Sequence, residues 1–164
     1  MKKCIAAVLA AALGIGAGLA LSVMFQVTDI TDNTMLPAFS EGDKALVSRR
    51  AFSGGRTPSS GDVVLFPNES YSPTGEGRIM VKRVIAGPGD QVLITGGAVY
   101  VNNKAIEESY IFTPGVSGEL EPVDIPEGSV FVLGDNRAQS TDSRSETVGL
   151  VHIDDILGKV IFQW

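Results

Sequence analysis

A chain of 164 residues with 19 acidic and 13 basic side chains carries a net charge of −6, and it holds one cysteine and one histidine. Cys4 alone supports neither an intrachain disulfide nor a thiolate zinc cluster, and His152 alone excludes any reaction needing paired histidines, leaving a Ser-His-Asp triad open only through His152 itself. Lys2 and Lys3 stand at the start and every acidic residue comes after Val27, so the part after Val27 is more acidic than the whole and repels phosphate backbones; nucleic acid is excluded as a partner.

From Cys4 to Val27 no residue carries a formal charge. At 1.5 Å per residue such a stretch makes about 36 Å of helix, enough to cross a bilayer. The two lysines ahead of it predict a cytoplasmic N-terminus and place the following residues outside the membrane. The competing reading is a cleaved signal peptide, which has a shorter apolar core and a small-x-small end, whereas this stretch closes on Val23-Met24-Phe25-Gln26-Val27. The expected division is therefore 1–27, cytoplasmic tip and single transmembrane anchor, and 28–164, one extracytoplasmic domain. A domain of that size buries about two thirds of its unfolded surface and folds without disulfide or metal.

Beyond the anchor, short apolar runs alternate with Gly, Pro, Asp and Asn, the pattern of a mainly β domain. The predicted strands are 44–47, 62–66, 79–85, 91–94, 98–101, 130–133 and 156–162. Several are apolar on both alternating faces, which predicts coiled or barrel-like antiparallel sheets rather than a flat sheet open to water. Asn102-Asn103 fits a hairpin turn, and 53–60 and 68–77, rich in Gly, Ser and Pro, read as exposed loops.

Three segments place polar residues in apolar surroundings. Asp32-Asn33-Thr34-Met35-Leu36-Pro37 follows the anchor, and by itself Asp32 or Thr34 reads equally as a cap on a turn before Pro37. In Met80-Val81-Lys82-Arg83-Val84-Ile85-Ala86-Gly87-Pro88-Gly89-Asp90, two cations interrupt a strand. Alternation points them to opposite faces, so one is buried, paired or functional, unless the lysine merely marks an edge strand. Gly134 to Arg144 is almost wholly polar and follows an apolar strand; it suits either a solvated loop or a rigid turn that presents groups to a site.

Taken together, Thr34-Met35-Leu36-Pro37, Lys82-Arg83-Val84-Ile85-Ala86-Gly87-Pro88-Gly89-Asp90, and Gly134-Asp135-Asn136 with Ser140, Asp142, Ser143 and Arg144 resemble the motifs of bacterial signal peptidase I in order and spacing. The wider family of Ser/Lys-dyad peptidases also includes self-cleaving repressors of the SOS response, but those need a DNA-binding domain for which the residues ahead of Thr34 leave no room. The resemblance implies a single-pass protein of the bacterial cell membrane whose β domain lies against the bilayer and cleaves signal peptides of exported preproteins after small-x-small motifs, with no cofactor and no metal. It implies Lys82 as general base, Thr34 at the nucleophile position, Ser140 as the hydroxyl orienting the amine, and Asp142, Arg144 and Arg83 as an ion-paired set joining the polar loop to the lysine strand. Met35, Pro37, Gly77, Arg78, Ile79 and Met80 would face substrate, with 77–80 pairing to it as an added strand. His152 lies outside these motifs and reads as a surface or strand-end residue.

Two positions depart from the family pattern. Threonine replaces serine at 34, and its methyl stiffens χ1 and crowds the attack geometry. Asp32 stands where the family has serine or glycine beside the oxyanion hole, and a carboxylate there repels a developing oxyanion. Both slow the expected reaction. The rival expectation is a weak or inactive homologue that holds signal-peptide-like or pilin-like segments, with a secretion or pilus-assembly partner.

Overall fold

The computed structural model describes residues 14, 16, 18, 21–68, 78–111, 115–116 and 118–164. Most of the expected anchor lies outside these residues, and among the described residues no helix is long and apolar enough to cross a membrane. The described strands are β1 (Phe25–Asp29), β2 (Lys44–Ser48), β3 (Val63–Asn68), β4 (Arg78–Ala86), β5 (Gln91–Thr95), β6 (Ala98–Val101), β7 (Lys104–Ala105), β8 (Leu120–Asp124), β9 (Ser129–Leu133), β10 (Val151–His152) and β11 (Gly158–Gln163). They form two antiparallel sheets, one ordered β1-β2-β11-β3-β4-β9-β10 and one ordered β7-β6-β5-β8. The mainly β expectation holds, and each strand expected from the sequence overlaps an observed one.

Four strands escape a reading based on apolar runs. β7 and β10 are two residues long. β8 carries Glu121, Pro122 and Asp124 and exposes much of its length, so its membership of a sheet depends on pairing with β5. β1 begins at Phe25, ahead of the boundary expected at 28, because Phe25 and Val27 pair with Ser48 and Leu46 of β2. One loop boundary also moves: Asn68 belongs to β3, is buried, and its Nδ2 donates to the Thr147 carbonyl at 3.1 Å. The rest of the loop expected over 68–77 lies outside the described residues.

Hairpin geometry follows the turn residues. Asn102 and Asn103 both take positive φ, 52° and 63°, between β6 and β7, the left-handed pair that a two-residue hairpin loop requires. β3 and β9 are almost wholly buried because both faces of the large sheet are covered. Ile85, Val92, Ile94, Phe131 and Leu133 form a core between the sheets; Val64, Phe66, Met80, Val84, Val130 and Val132 form a second on the opposite face. A third cluster, Ile30, Met35, Phe39, Ala45 and Val63, pins down the segment after β1. That small core decides where Thr34 sits.

Candidate active site

Thr34 precedes a fully buried methionine. Met35 and Phe39 plug the third core cluster, the Phe39 amide donates to the Met35 carbonyl at 2.9 Å, and the chain at 33–36 has no freedom to swing away. From the other side the polar loop holds it: the Asn136 amide donates to the Thr34 carbonyl and Asn136 Nδ2 donates to the Asn33 carbonyl, each at 3.0 Å. Gly134 permits this approach. A Cβ there would stand 2.2 Å from Ser140 Oγ and 2.6 Å from the Thr34 carbonyl oxygen, so any side chain would push the loop off the site.

On β4, alternation aligns Met80, Lys82 and Val84 on one buried face. Lys82 is fully inaccessible to solvent. Its Nζ donates to Thr34 Oγ1 at 2.8 Å and to the Val81 carbonyl at 3.1 Å. Burial drives its pKa down from 10.5; Asp32, Asp142 and Asp135 pull it back up, and Arg78 adds to the lowering. Desolvation wins because none of these carboxylates touches the amine.

Arg83, one residue on, faces the other way. Its Nε donates to Asp135 Oδ1 at 2.8 Å, its Nη2 to Asp135 Oδ2 at 2.5 Å and its Nη1 to the Gly61 carbonyl at 2.9 Å, while the guanidinium carbon lies 4.3 Å from the Tyr110 ring centroid. Burial pushes the Asp135 carboxyl up, and the Arg83 fork offsets that push only in part, so the carboxyl stays above its ordinary value. Tyr110 donates to Glu108 at 3.0 Å, and Glu108 receives both ends of the nearly buried Arg137 guanidinium, through Arg137 Nη1 at 2.9 Å and also through Nη2. Glu108 and Tyr110 thus clamp the polar loop from the segment that follows β7 in the smaller sheet.

The expected ion-paired set is corrected in one respect. Asp142 and Arg144 pair with each other, Arg144 Nε to Asp142 Oδ1 at 2.7 Å and Nη2 to Oδ2 at 2.9 Å, but Arg83 takes Asp135 instead. Asp142 Oδ2 also accepts from the Gly134 amide at 3.0 Å and Ser143 Oγ accepts from the Val132 amide at 3.0 Å, so the loop is stitched to β9. The expected orienting role of Ser140 is not realised here: its hydroxyl donates to the Thr141 carbonyl at a long 3.5 Å, and Thr34 and Val81 receive the Lys82 amine.

Asp32 does more than the sequence suggested. Its Oδ1 accepts from the Thr34 hydroxyl at 2.6 Å and from the Thr34 amide at 3.0 Å, while Oδ2 accepts from Arg78 Nη2 at 3.0 Å. Burial opposes its ionisation, but the two Thr34 bonds with Lys82 and Arg78 outweigh it and hold its pKa below 3.8. Asp32, Thr34, Arg78, Met80, Lys82, Gln139 and Thr141 line a small pocket of about 50 Å³. It lies beside a larger cleft of about 330 Å³ lined in part by Thr28, Thr31, Asp32, Arg78 and Ile79.

Of the residues expected to face substrate, Arg78 and Ile79 line the larger cleft and Met80 the smaller pocket. Met35 does not qualify: it is fully buried in the third core cluster and supports the Thr34 backbone from beneath. Pro37 is exposed and lines neither cavity, and Gly77 lies outside the described residues. The sequence reading missed Glu108 and Tyr110, which no local pattern marks, and left the Asp135 partnership unassigned although Asp135 stands in the polar motif.

The β domain thus buries a lysine amine against a threonine hydroxyl beside an open cleft, an arrangement compatible with hydroxyl/lysine hydrolase chemistry. The family described as "Signal peptidase, peptidase S26" matches over residues 1–164. The chain is 35% identical to the probable signal peptidase I-1 of Synechocystis sp., over 89% of this chain and 76% of that one. It is 33% identical to signal peptidase I U of Bacillus subtilis, over 79% and 70%, and 32% identical to thylakoidal processing peptidase 1 of Arabidopsis thaliana, over 87% of this chain but only 43% of that one. The crystal structure of a signal peptidase I from Enterococcus faecalis superposes with a TM-score of 0.53 at 26% identity, covering 64% of this chain and 97% of that one. The chain belongs to the signal peptidase family, peptidase S26.

Proposed function

We propose that this chain is an endopeptidase that removes N-terminal signal peptides from exported preproteins, with Thr34 as nucleophile and Lys82 as general base. One observation carries the reading: a fully buried amine 2.8 Å from a hydroxyl whose backbone is pinned from both sides. A lysine at its ordinary pKa is protonated and useless as a base near neutrality; burial is what frees its lone pair. Neutral Lys82 takes the hydroxyl proton as Thr34 Oγ1 bonds to the scissile carbonyl carbon, and it gives that proton to the leaving amine as the C–N bond breaks. Water then attacks the ester, loses its proton to Lys82, and the threonine oxygen leaves with that proton.

β4 supports the binding side of the reading. β9 pairs only from Arg83 onward, so from Ile79 to Val81 no strand lies on the side away from β3 among the described residues. An extended substrate added there is held by main-chain bonds, which tolerate many sequences. Exposed Val27 of β1 and Phe162 of β11 both align with Leu46 of β2, the strand between them, and exposed Trp164 follows β11 at the Lys44 end of β2. This supports a β domain lying against a bilayer, and the uncharged stretch from Cys4 to Val27 behind Lys2 and Lys3 supports a single-pass protein with a cytoplasmic N-terminus. The bond from Thr34 to Asp32 favours a second reading, a homologue that binds such peptides, or pilin-like segments with an assembly partner, and cleaves them poorly.

The test is cleavage of a preprotein carrying Ala-x-Ala by the full chain in detergent. Wild type is expected to cleave, Thr34→Ser to match or exceed it, and Thr34→Ala and Lys82→Ala to be inert. Cleavage surviving in Lys82→Ala sinks the dyad, and cleavage by Thr34→Ser alone establishes the binding reading.

A further inference from the structure

A threonine hydroxyl has one hydrogen. In this site it goes to Asp32 at 2.6 Å, so the bond between Thr34 and Lys82 runs in the direction opposite to the one catalysis needs, with the amine donating and the hydroxyl oxygen accepting. The same carboxylate oxygen takes the Thr34 amide hydrogen, the kind of donor that acyl transfer uses to hold a developing oxyanion. A hydrogen bond to an ionised acceptor is stronger than one between neutral groups, so this arrangement is not a casual contact. Arg78, at the rim of the cleft, holds the other oxygen of the carboxylate.

From these contacts we propose that Asp32 is a built-in brake on the Thr34 hydroxyl, whose strength Arg78 sets. The proposal rests on the dyad reading for its consequence but not for its chemistry. Asp32 acts by two routes. It keeps the hydroxyl proton and the amide hydrogen turned away from the reaction, and its charge favours the ammonium form of Lys82, which cannot accept a proton. The charged groups acting on the amine are Asp32 from the segment after β1, Arg78 from β4 itself, and Asp142 and Asp135 from the polar loop; Asp32 is the foremost of the three acids in opposing desolvation. Arg78 works the other way, neutralising Asp32 and disfavouring a second cation at position 82. A substrate strand entering beside Arg78 and Ile79 meets the brake first, which makes the Asp32–Arg78 pair the determinant of which peptides release Thr34.

The experiment measures the Lys82 side-chain pKa by nitrogen-15 NMR on the full chain in detergent without substrate, and the pH profile of Ala-x-Ala preprotein cleavage in parallel. Asp32→Asn keeps an acceptor for the hydroxyl but removes the charge; Asp32→Ala removes both. Asp32→Asn is expected to lower the Lys82 pKa and move the acid limb of cleavage to lower pH, and Asp32→Ala to do the same with a rate near neutrality at least about tenfold above wild type, the equivalent of one pKa unit. Arg78→Gln is expected to raise the Lys82 pKa and slow cleavage. An unmoved Lys82 pKa in both Asp32 variants overturns the proposal, as does slower cleavage in Asp32→Ala, which would make Asp32 a proton acceptor. If no variant cleaves but the pKa shifts appear, the brake stands and the peptidase reading falls.

Discussion

Lys82 and Arg83 are adjacent on β4, yet their two faces are built on opposite principles. On the Lys82 face Met80 and Val84 flank an amine that donates to one hydroxyl and one backbone carbonyl, and among the described residues no carboxylate bonds it. The Arg83 face supplies a carboxylate fork, a carbonyl and an aromatic ring. The difference follows from acid strength. A guanidinium cannot shed its proton in a protein, so burying it requires a partner for the charge, whereas an ammonium can answer desolvation by becoming neutral. The same strand therefore uses one buried cation as a rivet and, in the proposed function, the other as a base.

Replacing Lys82 with Met tests that contrast most strongly. Cleavage is expected to fall by about ten-thousandfold, the scale of losing a principal catalytic group, while thermal stability stays level or rises, because an apolar side chain of similar size suits an apolar face better than an amine. A fall in melting temperature would mean the amine is structural. The variant also changes the response to pH. Between the depressed folded pKa of Lys82 and its ordinary 10.5, the unfolded chain binds the extra proton, so wild-type stability rises with pH across that window and is lost as pH falls through it. Lys82→Met is expected to flatten that slope in urea titrations run at several alkaline pH values.

Arg83→Met breaks the other face. It leaves Asp135, whose side chain is wholly buried, without its fork, and a broken buried pair costs about 3–5 kcal/mol in denaturant unfolding. An effect under about 1 kcal/mol would show that the pair is wetter than its burial suggests. The smallest change sharpens the comparison. Tyr110→Phe keeps the ring over Arg83 but removes the bond to Glu108, an expected loss of about 1 kcal/mol. A loss several times larger would show that Glu108 and Tyr110 hold the polar loop more than Asp135 does.

Much of this was legible in the chain itself. The apolar runs of β3, β4 and β9 gave themselves away because strands covered on both faces need few polar residues, and Asn102-Asn103 announced its turn because two consecutive left-handed residues suit few other side chains. β8 and β10 stayed hidden because an exposed or two-residue strand exists only through its partner. Motif order and spacing marked Thr34 and Lys82 as a pair, and alternation alone required Lys82 and Arg83 to part.

What only the folded chain decided was who meets whom. Met35 turned from a substrate contact into a core plug, Arg83 chose Asp135 over the Asp142–Arg144 pair, and Ser140 left the amine to Thr34. Asp32 and Arg78 are far apart in sequence and became partners only when β4 came to lie beside the segment after β1. Periodicity and motif spacing report the local backbone, which short-range sterics and burial dictate. Choosing among several acids and hydroxyls for one cation depends on differences of an ångström set by packing elsewhere, and no local pattern encodes those.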